Sequence, residues 1–295
     1  MKKMIGIALA LILALALCAC GNNSTAPETT PTNAPTNAPT SAPTSGSNIA
    51  PVTPDPNAPS TSSDLPLLMD TVVIGELHMS TNAAFPPYEM VADDGSFEGI
   101  DVEIAGAIAD KLGLELVVED MGFDAALLAA QNGQTDIVMA GVTVSDERLE
   151  VMDFSDTYAN GVQVIIVKED SSITSVDDLE NAQKIGTQKG TTGYQYCSDD
   201  YGEDHVTAFD TGALAVMALV NDNVDCVVID NMPAQEFVKA NPGLKILDTE
   251  YANEDYAIGT AKGNDKLLAA VNSVLAELKA DGTIQSIIDR YITAE

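Results

Sequence analysis

The order of predicted secondary structure limits the fold of this chain more than any other feature. Short runs of β-branched residues alternate with amphipathic helical stretches from residue 67 to residue 295. A β-α-β-α order is typical of α/β folds with a mostly parallel sheet, and this chain passes through the cycle twice. Two successive cycles predict two lobes rather than one continuous core.

Hydrophobic periodicity gives the elements of both cycles. In the first cycle, strands are predicted at 77–81, 114–118 and 136–140, with helices at 100–112, 125–131 and 146–151. In the second cycle, strands are predicted at 161–168, 184–187, 206–209, 225–229 and 244–247, with helices beginning near residues 175, 192, 211 and 233. The chain continues with a strand at 256–260, a helix at 265–280 and a last helix with Thr283 as its N-cap.

Charge and cysteine content exclude several classes of protein. The 295 residues include 13 Lys and Arg against 45 Asp and Glu, which gives a formal net charge of −32 at pH 7. Nucleic acid is excluded as a partner, because phosphate neutralisation needs clustered cations. No metal or cofactor is expected, since His78, His205 and the cysteines lack ligand-type spacing. Cys197 and Cys226 permit either a disulfide or two separate buried thiols.

The N-terminus has the pattern of a secretory signal, in which two lysines precede an apolar run at 4–17. The sequence Leu-Cys-Ala-Cys-Gly at 17–21 resembles the lipobox of bacterial lipoproteins, and Ala19 makes Cys20 the better lipidation site. We therefore expect a lipoprotein signal peptide at 1–19 and a lipid membrane anchor, including palmitate, on Cys20. The alternative is an ordinary cleaved signal whose cysteines are incidental.

The segment at 20–66 is expected to be a disordered tether. It is rich in Pro, Thr, Ala, Ser and Asn, and Asn-Ala-Pro-Thr occurs at both 33–36 and 37–40. Such a composition cannot bury enough apolar surface to fold, and its prolines favour extended polyproline II. The tether would hold a folded head away from a membrane, although a generic spacer predicts nearly the same.

A glycine-rich loop precedes the helix predicted near residue 192. It runs Gly186-Thr-Gln-Lys-Gly190-Thr-Thr-Gly193 and lacks the ending of a phosphate-binding loop, so nucleotide chemistry is not expected. The backbone N–H groups of Gly190, Thr191 and Thr192 would lie at the positive end of the helix dipole, which suits a carboxylate. A turn that only reverses the chain is the alternative.

Charged side chains follow apolar strands in both halves. Arg148 follows the strand at 136–140, near the edge where open α/β sheets bind ligands, and Ser145 is expected to cap its helix. The guanidinium could grip a carboxylate bidentately, or it could form a surface salt bridge with neighbouring acids. Asp230 follows the strand at 225–229 and could hold an ammonium group or cap the next helix.

Aromatic residues near strand ends complete the set of candidate motifs. Phe85, Tyr88 and Phe123 predict an apolar wall against a ligand side chain, with core packing as the ordinary alternative. The ordered landmarks between residues 77 and 292 are the segments 80–88, 99–104, 121–124, 136–148, 153–156, 190–192 and 228–230.

In these landmarks the chain resembles the solute-binding proteins of amino-acid ABC importers, which have the type 2 periplasmic-binding-protein fold. The resemblance implies two lobes joined by two hinge strands near 157–162 and 250–255, with a ligand cleft that closes on one amino acid. It implies lobe 1 at 67–159 plus 253–295 and lobe 2 at 160–252. It also implies a monomer that delivers its ligand to the transmembrane subunits of an ABC permease.

The resemblance further implies roles for individual residues. Arg148 would clamp the ligand carboxylate, Asp230 would hold the ammonium group, and Asn82 with Gln188 favours a neutral polar amino acid. The preference for a neutral ligand follows because family members that bind cationic amino acids tend to have Asp in place of Asn82. The full set of implied ligand-binding residues is Asn82, Phe85, Phe123, Gly141, Thr143, Arg148, Gln188, Thr191, Thr192 and Asp230.

Three function classes follow from the sequence. The first is a binding protein on the extracytoplasmic face of the cell membrane that serves an importer. The second is an enzyme on the same fold, such as a dehydratase of the cyclohexadienyl type, which would need an additional acid or base that the sequence does not suggest. The third is an extracytoplasmic amino-acid sensor that reports to a separate receptor.

Overall fold

The computed structural model describes residues 70–292. The predicted signal peptide, Cys20 and the tether to residue 66 lie outside the described residues, so those predictions stay as they are. No helix within 70–292 combines the length and the apolarity that a bilayer crossing requires.

The described elements follow the alternation predicted from the sequence. The first part of the chain contains β1 (Glu76–Thr81), β2 (Ala84–Phe85), β3 (Glu89–Val91), β4 (Phe97–Glu98), α1 (Ile100–Leu112), β5 (Glu115–Asp120), α2 (Phe123–Gln131), β6 (Ile137–Val138), α3 (Asp146–Val151) and β7 (Met152–Phe154). The middle part contains β8 (Ala159–Lys168), β9 (Ile185–Gln188), α4 (Thr192–Tyr201), β10 (Val206–Phe209), α5 (Gly212–Val220), β11 (Cys226–Asp230), α6 (Asn231–Ala240) and β12 (Leu244–Ile246). The last part contains β13 (Ala252–Tyr256), β14 (Gly259–Ala261), α7 (Asp265–Ala280) and α8 (Thr283–Tyr291).

Two larger sheets form the centres of two lobes. The first has the order β5-β1-β6-β14-β7, and β1 pairs in parallel with both β5 and β6. The second has the order β10-β9-β11-β8-β12, with β9 parallel to both β10 and β11. A small sheet of β2, β3 and β4 lies in the first half of the chain. This arrangement confirms the two-lobed α/β fold.

Two neighbouring strands carry the chain between the lobes. The chain leaves the first sheet after β7, enters the second through β8, and returns through β13 to β14. β8 and β13 pair antiparallel along five residue pairs, from Ala252↔Gln163 to Tyr256↔Ala159. These are the two hinge strands of the fold. The particular lobe boundaries at 67–159 plus 253–295 and at 160–252 stay predictions.

Helix α1 illustrates how the local sequence determines packing on the sheet. Ile104, Ile108 and Leu112 recur at helical spacing, and all three are buried in the main core. Each such side chain contributes about 2 kcal/mol through burial. The helix ends at Gly113, whose φ of 70° is left-handed and whose N–H bonds back to the helix, so the chain turns directly into β5.

Several local predictions need correction at element ends. Thr283 is not an N-cap: it is the first residue of α8, while Gly282, with a φ of 82°, occupies the cap position. The strand predicted at 256–260 is two strands, because β13 ends at Tyr256 and β14 begins at Gly259. The helix predicted near residue 175 is a 3₁₀ helix, Val176–Asn181. Ser145, in contrast, caps α3 as predicted by accepting a hydrogen bond from the Arg148 N–H.

Cys197 and Cys226 are separate buried thiols, so the disulfide alternative is not realised in this structure. Both lie in the second apolar cluster of the protein. Burial raises the pKa of the Cys197 thiol to about 12 and that of Cys226 in the same direction. Both residues therefore behave as small apolar groups of the core.

Candidate functional site

A small cavity, with a free volume of about 10 Å³, lies between the lobes, where strands of both sheets end. Every ligand-binding residue predicted from the sequence lines the cavity, together with two that were not predicted, Glu89 and Ala140. The complete lining is Asn82, Phe85, Glu89, Phe123, Ala140, Gly141, Thr143, Arg148, Gln188, Thr191, Thr192 and Asp230.

The Arg148 guanidinium is held at one side of the cavity. Its Nη1 donates to the Thr143 carbonyl oxygen at 2.8 Å, and its Nη2 donates to the Gly190 carbonyl oxygen at 3.2 Å. The guanidinium lies over the Phe123 ring, 5.4 Å from the centroid, which fixes its plane. Among the described residues it forms no ion pair, so the surface salt bridge considered for it is not present. A guanidinium in this orientation has further N–H donors, and these can bind a carboxylate.

Helix α4 begins beside this guanidinium. Thr191 is its N-cap and accepts a hydrogen bond from the Tyr194 N–H, as a glycine-rich loop that opens a helix requires. Thr192 Oγ1 lies 3.5 Å from Thr143 Oγ1, so the two hydroxyl groups meet across the cleft. The positive end of α4 and Arg148 therefore face the same part of the cavity.

Asp230 lies at the opposite side and does not cap its helix. It occupies the cap position of α6, but its side chain makes no capping hydrogen bond. Gln163 Nε2 donates to its Oδ2 at 2.8 Å, and the Tyr256 hydroxyl donates to its Oδ1. Burial and the nearby Glu254 charge raise the pKa of Asp230 to about 7. An ammonium group placed against this carboxylate would favour its ionised form.

Glu89 is a second acidic group of the cavity. It is fully buried on β3, where its carboxyl group meets the Asp101 side chain. Burial, followed by the Asp101 charge and the hydrogen bond to Asp101, raises the pKa of Glu89 well above the usual range. Asp101 lies beneath the cavity, where it accepts a 2.9 Å hydrogen bond from the Gly141 N–H, and burial raises its pKa to about 6. Without a ligand, Glu89 is therefore a neutral acid that donates to Asp101, and a cation placed beside it would favour its ionised form.

Aromatic rings enclose the cavity from the first lobe. Phe85 follows β1 and Phe123 begins α2, and both are buried. Gly141 has a φ of 55°, and a Cβ there would lie 2.9 Å from Phe85 Cε1, so glycine lets this ring approach the backbone. Tyr88 does not line the cavity; it packs edge-on against Tyr256 at 5.3 Å between ring centroids.

Direct contacts join the two rims, so the structure is a closed form. Gln188 Nε2 donates to Asn82 Oδ1 at 3.0 Å, and Lys189 forms a 3.1 Å ion pair with Asp124. Gly190 has a φ of 76°, and a Cβ there would lie 1.6 Å from Asp124 Oδ1, so another residue would be strained and would displace the Asp124 side chain. Asn82 and Gln188 line the cavity as predicted. Because the Gln188 amide nitrogen donates to the Asn82 amide oxygen, each side chain has one hydrogen-bonding group fewer for a ligand.

Gln163, Glu254 and Tyr256 also belong to the site and were missed by sequence reasoning, as was Glu89. None of the three lines the cavity: Gln163 and Tyr256 donate to Asp230, and Glu254 accepts from Gln163. A weak signal existed for Gln163, which is a polar residue inside the otherwise apolar strand β8. Glu89 carried a similar signal, since it lies between Tyr88 and Met90, whereas Glu254 occurs in an acidic, polar stretch of sequence. Within residues 70–292, no three His, Cys, Asp or Glu side chains are grouped as a metal site would require.

The raised pKa values of the buried carboxyl groups predict how the stability of the ligand-free protein depends on pH. The folded pKa values of Asp230, about 7, and Asp101, about 6, lie above their unfolded value of 3.8. Their contribution to stability is therefore complete below pH 3.8 and is lost as the pH rises through about 6 to 7. His78, whose pKa is raised by hydrogen bonding to Glu119, changes stability in the same direction.

We expect the free energy of unfolding to fall by on the order of 4 kcal/mol between pH 5 and pH 8. Urea titrations of ligand-free protein at both pH values measure this change, and Asp230→Asn should reduce it. Stability that is constant or rises over this range would contradict the assignment of raised pKa values.

A two-lobed α/β fold that encloses a polar cavity between its lobes defines a protein that captures a small solute. The sequence profile of the bacterial extracellular solute-binding proteins, family 3, matches residues 77–294. The chain belongs to this family. It is accordingly an extracytoplasmic solute-binding protein and not an enzyme, which confirms the family and the function class predicted from the sequence.

Individual relatives agree with this assignment. The chain is 32% identical over 222 residues to a probable histidine-binding protein of Neisseria gonorrhoeae, covering 74% of this chain and 83% of the relative. It is 32% identical to the arginine-, lysine-, histidine-binding protein ArtJ of Geobacillus stearothermophilus, with a TM-score of 0.71, covering 75% of this chain and 96% of ArtJ. An ancestral arginine-binding protein bound to glutamine is 38% identical with a TM-score of 0.71, covering 75% of this chain and all of that structure.

Proposed function

We propose that this protein captures one cationic amino acid by closure of its two lobes and delivers it to the permease of an ABC importer. The ligand carboxylate binds Arg148 and the N-terminus of α4, and the ammonium group binds Asp230 and the Gly141 carbonyl oxygen. The cationic side chain lies between Phe85 and Phe123 and ends at Glu89. Each lobe supplies part of this grip, so the ligand stabilises the closed form over the open one.

The buried acidic pair of Glu89, in the cavity lining, and Asp101, behind it, carries the proposal of a cationic ligand. Four buried acidic residues, Glu89, Asp101, Asp230 and Glu254, lie in or beneath the cavity. Within the described part of the chain, Arg148 is the cation that faces them. A zwitterionic amino acid adds no net charge to this set, whereas a guanidinium, ammonium or imidazolium side chain adds one positive charge and donors for Glu89.

A neutral polar amino acid is the alternative, as predicted from Asn82 and Gln188. Those two amides bond to each other in the closed form, which weakens the argument drawn from them. A glutamine side chain could still donate from its amide to Glu89, and a similar protein is known with glutamine bound. The relatives named for arginine, lysine and histidine favour the cationic class.

We further propose that Cys20 carries a lipid anchor and that residues 20–66 hold the head away from the membrane. In this proposal the protein works as a monomer. A sensor that reports to a separate receptor would use the same capture step and would differ only in its membrane partner.

The test is a ligand screen on the protein with Cys20→Ala, which prevents lipidation. The protein is unfolded and refolded to remove carried-over ligand, and its melting temperature is followed against the twenty amino acids. A ligand at 100 times its Kd adds about 2.7 kcal/mol of stability, so a specific ligand is easily detected. We expect arginine, lysine or histidine to give the largest increase. A larger increase with glutamine would establish the neutral alternative, and no increase with any amino acid would refute capture.

A further inference from the structure

A chain of hydrogen bonds runs across the hinge behind the cavity. Thr143, from the first lobe, donates from Oγ1 to Glu254 Oε2 at 3.1 Å. Gln163 Nε2 donates to the same Glu254 oxygen at 3.0 Å and to Asp230 Oδ2, in the second lobe, at 2.8 Å. Both N–H groups of one amide therefore join two carboxylates that belong to different strands. We call Thr143, Glu254, Gln163 and Asp230 the hinge relay.

The position of Gln163 is fixed by its surroundings. It is 1% exposed on β8, where its backbone pairs with Asp230 on one side and Ala252 on the other. A Cβ on Gly193 would lie 2.8 Å from Gln163 Oε1, so the start of α4 closes against the amide oxygen. Because only the amide nitrogen can donate to two carboxylates, its orientation follows from the hydrogen-bond network.

The relay lies between two like charges. Asp230 and Glu254 are both buried, and the Glu254 charge disfavours ionisation of Asp230, whereas the hydrogen bonds from Tyr256 and Gln163 favour it. Removal of the Glu254 charge should lower the pKa of Asp230, and removal of the hydrogen bonds should raise it. The charged and titratable groups that face Asp230 from the surrounding elements are Tyr88, Glu89, Arg148, Tyr196, Glu254 and Tyr256.

We propose that Gln163 is a positioning residue that orients the Asp230 carboxylate for the ligand ammonium group and favours its ionised form. Gln163 lies outside the cavity lining, so it acts through Asp230. Backbone contacts of Thr143 with Tyr256 and of Val144 with Asp255 hold Thr143 beside Glu254. The proposal rests on the proposed function only for the identity of the group that meets Asp230.

Two variants test the relay because they act in opposite directions. Gln163→Met keeps the length of the side chain and removes both donors, so the pH below which L-arginine affinity is lost should rise by about one unit. Glu254→Gln removes the repelling charge, so the same midpoint should fall by about one unit. Isothermal titration with L-arginine between pH 5 and pH 9 measures both midpoints. Gln183→Met, an exposed position in the same half of the chain, is the matched control and should leave the midpoint unchanged.

Ligand-free stability provides a second readout that does not depend on the proposed function. The pH at which stability is lost as Asp230 ionises should rise in Gln163→Met and fall in Glu254→Gln. If one variant fails to fold, the other still tests the direction of its own shift. Midpoints equal to the wild type in both readouts, or shifts of the same sign, would overturn the relay. If the wild type bound no amino acid, the proposed function would be refuted. The pH dependence of ligand-free stability in the two variants would still test the relay.

Discussion

Replacement of Arg148 by alanine should abolish binding of every amino acid that the protein takes. The guanidinium is held by the Thr143 carbonyl oxygen and the Phe123 ring of its own lobe, so its position is set before the lobes close, and the Gly190 carbonyl oxygen is a contact of the closed form. Loss of one partner from a buried, hydrogen-bonded charge pair costs about 3–5 kcal/mol, or roughly 200-fold to 5,000-fold in Kd. Because all amino acids share the carboxylate, the loss should be similar for each of them.

Isothermal titration of the Arg148→Ala protein with L-arginine and L-glutamine measures this loss. Arg290→Ala is the matched control, since Arg290 is an exposed arginine of α8 that pairs with Glu103 away from the cavity. The control should bind as the wild type does. If a folded Arg148→Ala protein retained affinity within tenfold of the wild type, Arg148 could not be the carboxylate clamp.

Replacement of Glu89 by glutamine should change ligand selectivity rather than remove binding. Glu89 lines the cavity, and a cationic side chain that favours its ionised form gains an ion pair that a neutral one cannot. We expect L-arginine affinity to fall by about 100-fold, which corresponds to about 2.7 kcal/mol, while L-glutamine affinity changes by less than about threefold. The ligand-free protein should also become more stable near neutral pH, because a buried acid is replaced by an amide.

The measurement is the ratio of the two dissociation constants in wild type and in Glu89→Gln. Glu98→Gln provides the control, because Glu98 is an exposed acid on β4 of the same small sheet. An equal loss for both ligands would mean that Glu89 supports the cavity wall without contacting the ligand side chain. A wild type that prefers glutamine would favour the neutral class predicted from Asn82 and Gln188.

The sequence by itself determined the order of elements and indicated several cavity residues. Strand ends can be predicted from hydrophobic runs, and in an α/β sheet the carboxyl ends of parallel strands meet at one edge. For that reason Arg148 and Asp230, each following a predicted strand, could be expected near a ligand from local pattern, with a salt bridge and a helix cap as the alternatives. Asn82, Gly141, Thr143 and Gln188 were implied only by the family resemblance. The same local rules placed Ser145 at the start of α3, because a cap involves only neighbouring residues.

Only the tertiary structure decided which of these side chains satisfy one another. Gln163 and Glu254 are 91 positions apart in sequence, and Thr143 and Glu254 are 111 apart, yet both pairs are hydrogen-bonded. Glu89 is fully buried on β3 beside Asp101, a contact that the sequence pattern does not predict. Burial and long-range hydrogen bonding are properties of the packed chain, so they set the charge of the cavity, whereas the sequence pattern set its location.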